Sequence, residues 1–297
     1  MARISVIIPT YNRRHLLGRA IESVLKQSYR DLRLVIVDDA STDGTETFLR
    51  GLCDPRIDVI RHEHNRGAAA ARNTGLDRAD SEFVAFLDSD DAWLEPKLER
   101  QLEAFACGDE RLGVVYTRFR KIDWHYEPHV ERRDGDIRAH ILVQNCVGTA
   151  STAMIRRACF DAGAEFDGAL DGSEDWDLWI RLAEQWRFRL VPEVLVHYYP
   201  QPVSLTADRR GALRAHERLF SKHEARIAAL PDDFRARHWF HRGRIFYSHR
   251  RFLAGHRCLT RALGIDRAIL PDVGRYLFVE SARKLADRIG LPVQGAD

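Results

Sequence analysis

Residues 32–39 are Leu-Arg-Leu-Val-Ile-Val-Asp-Asp, an apolar run that stops at two adjacent carboxylates. Such a run is typical of a strand covered on both faces of a parallel sheet. Similar runs recur on either side of it, separated by helical patterns. The predicted strands are Arg3–Ile8, Leu32–Val37, Ile57–Ile60 and Phe83–Leu87, and the predicted helices are Arg13–Gln27, Thr45–Leu52, Gly67–Leu76 and Glu95–Phe105. This alternation predicts an α/β fold with a mostly parallel sheet and helices on both faces.

The pattern changes in the middle of the chain. Further strands are predicted over Gly113–Phe119, Ala153–Arg156 and Val194–Tyr199, and a helix over Ser173–Trp186. From residue 207 onwards the pattern is helical. We therefore predict two domains, an α/β body over residues 1–206 and a basic helical extension over residues 207–297.

Composition narrows the class of protein. The chain has 297 residues, of which 45% are apolar and 30% charged. These values exclude collagen-like, disordered and disulfide-scaffold proteins. No run approaches the roughly 18 apolar residues of a membrane span, so we expect no transmembrane helix. Five cysteines without a Cys-x-x-Cys pair favour reduced thiols and a cytoplasmic location. Attachment to the inner face of the membrane is left open.

Charge is divided unevenly along the chain. The net charge is +2, but residues 1–206 carry −7 and residues 207–297 carry +9. A basic extension suits an anionic membrane surface, a polyprenyl-phosphate-linked acceptor, a polyanionic glycan or a nucleic acid. A solvated face partly paired with the acidic body explains the same pattern. Among the specific partners, peripheral membrane contact ranks above nucleic acid, which we do not expect.

Acidic side chains follow two of the predicted strands. Asp38 and Asp39 follow the second strand, and Asp88, Asp90 and Asp91 follow the fourth. The carboxyl ends of parallel strands line the ligand crevice of an open α/β sheet, so we expect these carboxylates around one crevice. On an extended segment, Asp88 and Asp90 project to one side and can share Mg²⁺ or Mn²⁺, which also binds substrate phosphates. For each cluster taken alone, the alternative is that its carboxylates cap the following helix or shape a turn.

Five motifs occur along the first two thirds of the chain. They are Ser5-Val-Ile-Ile-Pro-Thr-Tyr-Asn12, Val37-Asp-Asp-Ala-Ser-Thr-Asp-Gly-Thr45, Asn65-Arg-Gly-Ala-Ala-Ala-Ala-Arg-Asn73, Phe86-Leu-Asp-Ser-Asp-Asp91 and Glu174-Asp175. In order and spacing they resemble family 2 glycosyltransferases, and the resemblance covers about residues 3–206. It implies a Rossmann-like GT-A fold and an inverting transfer of sugar from a nucleotide-sugar, a UDP-sugar or a related donor, to an acceptor hydroxyl.

The resemblance assigns a nucleotide site residue by residue. Thr10 and Tyr11 match the residues that line the nucleotide pocket. Asp39 matches the aspartate that bonds the base, and Arg72 the arginine on the uracil side. Asp88 matches the residue placed near the ribose and the metal.

The resemblance also assigns the metal and the base. Asp90 matches the principal ligand of Mn²⁺ or Mg²⁺, with Asp88 beside it. Asp175 matches the catalytic base, and Glu174 the neighbour that contacts acceptor or sugar. A metal would neutralise the diphosphate leaving group while the base takes the acceptor proton. Without the resemblance, Glu174 and Asp175 are better explained as first-turn acids after a Ser173 N-cap.

The chain departs from the family after the last predicted strand. Many members carry a histidine there that can complete the metal shell, whereas this chain has Gln201 at the equivalent place. His197 is a nearby alternative. The third metal ligand is therefore left open between these two residues and no protein ligand.

Other functions remain to be weighed. No Gly-x-Gly-x-x-Gly or Walker A sequence follows the first strand, which disfavours dinucleotide-binding and P-loop proteins. A haloacid-dehalogenase-like phosphatase has a similar Asp-x-Asp strand but a different motif order. A non-catalytic scaffold that binds partners through the helical tail is the second hypothesis. Neither the donor sugar nor the acceptor, whether a glycan, a lipid-linked sugar or a protein, follows from the sequence, and homo-oligomerisation stays open.

Overall fold

The chain folds into two compact units. The structure is a computed structural model that describes residues 2–122, 133–170, 172–201 and 209–289, with side chains up to residue 279. Within these limits, one unit comprises Met1–Ile141 and Asn145–Leu219, and the other Leu142–Gln144 and Phe220–Asp297. The predicted domain boundary at residues 206 and 207 lies outside the described residues and stays a prediction.

Strands and helices alternate through the first unit. The strands are β1 (Ile4–Thr10), β2 (Leu32–Asp38), β3 (Ile57–Arg61), β4 (Phe83–Phe86), β5 (Ala92–Trp93), β6 (Leu112–Lys121), β7 (Ala153–Arg156) and β8 (Arg187–Tyr198). The helices up to this point are α1 (Arg14–Leu25), α2 (Thr45–Arg50), α3 (Ala68–Arg78), α4 (Lys97–Ala106), α5 (Arg138–Val143), α6 (Ala158–Asp161) and α7 (Glu174–Ala183). After residue 208 come α8 (Arg209–Lys222), α9 (Glu224–Ala228), α10 (Asp232–Ser248), α11 (Phe252–Ile265) and α12 (Leu270–Ile289).

The strands form one mixed sheet in the order β3-β2-β1-β4-β7-β6-β8-β5. The strands β3, β2, β1 and β4 are parallel, as the alternation predicted, and β6 is parallel to β8. The strands β7 and β5 run antiparallel to their neighbours. The predicted α/β fold with C-terminal helices is confirmed.

Strand β8 is longer than the sequence indicated. Its apolar pattern predicted Val194–Tyr199, but pairing with β6 begins at Arg187. The register shifts where Pro192 and Glu193 interrupt the ladder, between the pairs Thr117↔Val191 and Arg118↔Val194. Proline has no N–H to donate, so it is tolerated in a strand at such an irregularity. The charged, proline-containing first half of the strand hid it from a pattern-based prediction.

Helix α3 approaches strand β1 at a glycine. A Cβ atom on Gly75 would lie 2.4 Å from Cγ2 of Ile7, whose side chain is fully buried. Only a residue without a side chain allows this approach. The contact fixes α3, and with it Arg72 one turn earlier, against the strand that leads to Thr10.

We predict that Gly75→Ala lowers the free energy of unfolding by about 1–3 kcal/mol, because Ile7 cannot move out of a packed core. Gly18→Ala in α1 is the matched control. Its Cβ would meet only Cζ of Phe48 at 3.7 Å, so helix propensity should stabilise the chain by about 0.5–1 kcal/mol. Urea unfolding of both variants measures the two signs. Destabilisation by both changes, or by neither, would contradict the close approach at Gly75.

The second unit contains an antiparallel helical pair. Helices α10 and α11 approach through two glycines, where a Cβ on Gly243 would lie 2.8 Å from Cδ2 of Leu259 and one on Gly255 would lie 2.5 Å from Cδ2 of Tyr247. The buried core around them is formed by Ala236, Leu259, Ala262, Ile269 and Val273. No helix in the described part of the chain is both long and apolar enough to span a membrane.

Candidate active site

The carboxyl ends of β1 and β2 meet at one edge of the sheet. Thr10 lies opposite Asp38 in the register, and the Asp39 N–H donates to the Thr10 carbonyl at 2.9 Å. Asp38 is fully buried, where its carboxylate pairs with Arg61 and accepts the Ser41 N–H at 3.0 Å. The Thr10 hydroxyl is buried without a hydrogen-bond partner among the described residues. Asp38 therefore holds the strand end together, and Thr10 retains an unused polar atom there.

Asp39 anchors the start of helix α3. Its Oδ1 accepts from the Arg66 N–H at 2.8 Å and lies 2.7 Å from Nδ1 of His62, and its Oδ2 accepts from the Gly67 N–H at 2.8 Å. Nε2 of His62 lies 3.0 Å from Oγ1 of Thr74, further along α3. The carboxylate predicted to bind the base is thus locked in one orientation by its own chain.

The residues after β4 form a turn. The Asp91 N–H donates to the Asp88 carbonyl at 3.0 Å, so the expectation of an extended Asp88-x-Asp90 segment is wrong. The Ser151 hydroxyl donates to Oδ2 of Asp91 at 2.7 Å and accepts the Asp88 N–H at 3.1 Å. Oδ1 of Asp91 accepts the Tyr199 N–H at 3.3 Å. Both carboxylate oxygens of Asp91 are thus used inside the turn.

Arg72 joins two of the motifs. Its Nη2 donates to Oδ1 of Asp88 at 2.7 Å, and its Nη1 donates to Oε1 of Glu174 at 2.8 Å. Oε2 of Glu174 accepts the Gly172 N–H at 2.6 Å. Burial alone would lower the pKa of Arg72, but the charges of Asp88 and Glu174 outweigh it and raise that pKa. The predicted contacts of Arg72 with the base and of Glu174 with acceptor or sugar stay predictions.

The carboxyl group of Asp175 has a higher proton affinity than an ordinary aspartate. Burial, and then the negative charge of Glu174, raises the pKa of Asp175 to about 7, although Arg72 opposes this shift. Its Oδ1 accepts the Trp176 N–H at 2.6 Å. Ser173 occupies the N-cap position of α7, with Glu174 and Asp175 in the first turn as the alternative explanation predicted, but its hydroxyl makes no capping bond and has no partner in the described structure. A pKa near neutrality suits a general base.

Asp88 and Asp90 are the oxygen donors predicted for the metal ion. Burial, and then the charge of Asp88, raises the pKa of Asp90 to about 6, so these carboxylates repel one another without a counter-ion. In the described residues no group of three or more His, Cys, Asp or Glu side chains could hold a metal ion. Two carboxylates fit Mg²⁺ or Mn²⁺, since such ions take their remaining oxygen ligands from phosphates and water. Asp88 and Asp90 thus fit a metal that is shared with the substrate.

The remaining predicted residues lie at the margin of this arrangement. Tyr11 is 45% exposed at the end of β1. His197 pairs with Ala92 between β8 and β5, and burial together with Arg120 lowers its pKa. Nε2 of Gln201 donates to the Tyr199 carbonyl at 3.1 Å. The choice between His197 and Gln201 as a metal ligand stays open.

Two residues of the site escaped the sequence analysis. His62 directly follows β3, at the same edge as Asp39, and that position was a signal that could have found it. Ser151 precedes β7 in a polar loop, and nothing in the sequence alone connects it with Asp88 and Asp91. Its role depends on the antiparallel insertion of β7 beside β4.

Comparison with known proteins agrees with this geometry. The model of glycosyl transferase family 2 matches residues 5–162, which span β1, β2, β4 and the residues that hold Asp88. The chain belongs to this family. The matched range ends before Glu174 and Asp175, so the match does not bear on the roles predicted for these two residues.

Several relatives of this chain are described as glycosyltransferases. A putative teichuronic acid biosynthesis glycosyltransferase of Bacillus subtilis, TuaG, is 51% identical over 102 residues, 34% of this chain and 40% of TuaG. The UDP-Glc:α-D-GlcNAc-diphosphoundecaprenol β-1,3-glucosyltransferase WfgD of Escherichia coli is 32% identical over 179 residues, 60% of this chain and 69% of WfgD. The chain thus matches less than half the length of TuaG.

Solved structures support the fold of this family 2 member. Residues 1–349 of S. aureus TarS, in complex with UDP-GlcNAc, give a TM-score of 0.67 at 21% identity, over 88% of this chain and 80% of that one. The mannosyltransferase PcManGT of Pyrobaculum calidifontis, in complex with GDP-Man and Mn²⁺, gives 0.66 at 22% identity, over 96% and 80%. The predicted GT-A glycosyltransferase fold is confirmed at this level.

We predict that Arg72→Met lowers the free energy of unfolding by about 3–5 kcal/mol, because it leaves two carboxylates without their shared cation. Arg78→Met is the matched control on the same helix. Its pair with Asp58 is 2.7 Å long, but the Arg78 side chain is 54% exposed, so the loss should stay within about 1 kcal/mol. Equal losses in the two variants, measured by urea unfolding, would contradict a central role for Arg72.

Proposed function

We propose that the chain is an inverting, metal-dependent glycosyltransferase that moves a sugar from a UDP-sugar to a hydroxyl of a lipid-linked acceptor in surface-polysaccharide synthesis. The observation that carries the proposal is the double salt bridge of Arg72, which joins Asp88 to Glu174 directly beside Asp175, a carboxyl whose pKa is raised to about 7. The activities described for TuaG and WfgD support the polymer and the lipid-linked acceptor. WfgD and the UDP-GlcNAc complex of TarS support UDP as the donor nucleotide.

The nucleotide would bind at the shared edge of β1 and β2. Asp39 presents a fixed carboxylate to the base, and the unpartnered Thr10 hydroxyl lies beside it. Tyr11 is exposed enough to pack on the nucleotide. Asp88 and Asp90 would hold Mn²⁺ or Mg²⁺, which supplies charge neutralisation to the diphosphate leaving group. Arg72 keeps Asp88 in place while it does so.

Asp175 would take the proton of the acceptor hydroxyl as that oxygen attacks the sugar. Burial and the neighbouring Glu174 hold its pKa at about 7, which balances proton affinity against the fraction that is ionised. Arg72 ties Glu174 in place, so the base keeps a constant electrostatic neighbour. One displacement forms the new glycosidic bond and breaks the bond to the diphosphate, which inverts the anomeric centre.

Asp175→Asn should abolish sugar transfer and leave nucleotide binding intact, because an amide cannot take the proton. Transfer to an isolated lipid-linked acceptor measures the first effect. Glu184→Gln, an exposed change at the end of the same helix, is the control and should keep its turnover. Near wild-type turnover in the Asp175 variant would remove this residue as the base.

Nucleotide binding is checked separately by thermal unfolding with UDP, GDP, dTDP or phosphate, each with and without Mn²⁺. We expect UDP with Mn²⁺ to raise the midpoint most in both the wild type and the Asp175→Asn variant. If no nucleotide raised the midpoint, the enzyme would give way to the second hypothesis, a non-catalytic scaffold.

The turnover number should depend on pH through the base. Below about pH 7 Asp175 is protonated and cannot accept a proton, so kcat should rise about tenfold per pH unit up to that value and then level off. Saturating donor and acceptor across about pH 5 to 9 would give the profile. A profile that is flat, or that falls over the acidic limb, would contradict Asp175 as a base with a raised pKa.

A further inference from the structure

The turn between α10 and α11 carries a concentration of positive charge. Residues 234–265 contain eight Arg and four His and no acidic residue at all. His249, Arg250 and Arg251 join the two helices, and the five residues His249-Arg-Arg-Phe-Leu253, which include the first two of α11, are here termed the hairpin tip. Arg250 and Arg251 are exposed, and so is Arg257 on α11. None of these three arginines forms an ion pair within the described structure. No acidic side chain among the residues that the structure describes therefore pairs with the charge at the tip.

The backbone of the hairpin tip favours glycine at position 250, where this chain has an arginine. Arg250 has a φ of 59°, and its N–H donates to the Tyr247 carbonyl at 2.9 Å. The Arg251 N–H donates to the Phe246 carbonyl at 2.9 Å, which completes a Schellman ending of α10. Glycine is the usual residue at such a left-handed position because a Cβ adds strain there. The tip therefore carries the Arg250 side chain in a backbone conformation that costs stability.

Apolar side chains stand exposed beside these arginines. Phe252 is 44% exposed and Leu253 is 69% exposed, at the first two positions of α11. Leu253 shares the exposed stripe of α11 with His256, Arg257 and Thr260, and the opposite side buries the residues Gly255, Cys258, Leu259 and Ala262. The fold of the second unit thus uses one face of α11 and leaves a basic face with an apolar end.

We propose that the hairpin tip docks on the surface of an anionic phospholipid bilayer. Phe252 and Leu253 would enter the boundary between headgroups and acyl chains, and Arg250, Arg251 and Arg257 would contact the headgroup phosphates. Charge complementarity selects an anionic surface, and the apolar pair selects a bilayer over a nucleic acid, whose phosphates reward arginine but not leucine. The inference deepens the proposed function, since a lipid-linked acceptor lies at such a surface.

Sedimentation of the full chain with vesicles tests this surface. The wild type should bind vesicles of phosphatidylcholine that contain phosphatidylglycerol, with an affinity that falls as salt is added, and should bind pure phosphatidylcholine vesicles poorly. Arg250→Gly with Arg251→Gln should weaken binding about 30-fold. Leu253→Ser should weaken it about tenfold. Equal binding to both kinds of vesicle would overturn the proposal.

Two controls separate docking from misfolding and from diffuse charge. Arg250→Gly relieves the left-handed strain, so the doubly substituted chain should keep or raise its unfolding midpoint while it loses vesicle binding. Arg267→Gln with Arg275→Gln removes the same charge from exposed sites beyond the far end of α11, and binding should change less than about threefold. An equal loss in this control would overturn the tip as the docking site.

Other occupants give distinct results. Binding to heparin but not to vesicles, lost in the tip variants, would assign the tip to a soluble polyanion. A dimer that Leu253→Ser dissociates would assign it to a second copy of this chain. Vesicle binding needs neither donor nor acceptor, so it can succeed when transfer fails. Conversely, sugar transfer to a water-soluble acceptor should be unchanged in the tip variants, which distinguishes failure of docking from failure of the proposed function.

Discussion

The site depends on one buried guanidinium. Arg72 sits on α3 and bonds Asp88 after β4 and Glu174 at the start of α7, residues that are 86 positions apart in the chain. A planar guanidinium with donors on both terminal nitrogens can hold two carboxylates at once, which a lysine ammonium does less well. The position of α3 is in turn fixed by the absence of a side chain at Gly75. The salt bridges of Arg72 therefore depend on the position of α3, which in turn depends on the close contact at Gly75.

The same site contains two carboxylates, Asp90 and Asp175, whose ionised forms are electrostatically unfavourable. Asp90 and Asp175 keep their protons in the folded chain up to about pH 6 and pH 7, whereas ordinary aspartates lose them near pH ~4. The folded state therefore binds more protons than the unfolded state across that window, and its stability falls as pH rises through it. A cation bound between Asp88 and Asp90 would offset the part that belongs to Asp90. Asp90 and Asp175 are thus held in surroundings that disfavour their ionised forms.

The parallel half of the sheet could be predicted from the sequence because its strands are continuous apolar runs, such as Leu32–Asp38. Sequence reasoning missed the first half of β8, where Pro192 and Glu193 break the pattern, and it took Asp88-x-Asp90 for an extended segment rather than a turn. It placed the site carboxylates by their position after strands. The salt bridges of Arg72 could not be predicted from the sequence, because a contact between separate motifs follows from tertiary packing and leaves no local periodic signal.

The carboxylate of Asp39 is oriented before any ligand binds, because it makes three hydrogen bonds to the residues around it. In its proposed role this carboxylate meets the base already oriented by His62 and by the amides of Arg66 and Gly67. The entropy of fixing the side chain is then lost during folding and is not lost again on binding, which favours affinity without additional contacts. A substitution at Asp39 would also release the start of α3, so its effects on recognition and on folding are inseparable.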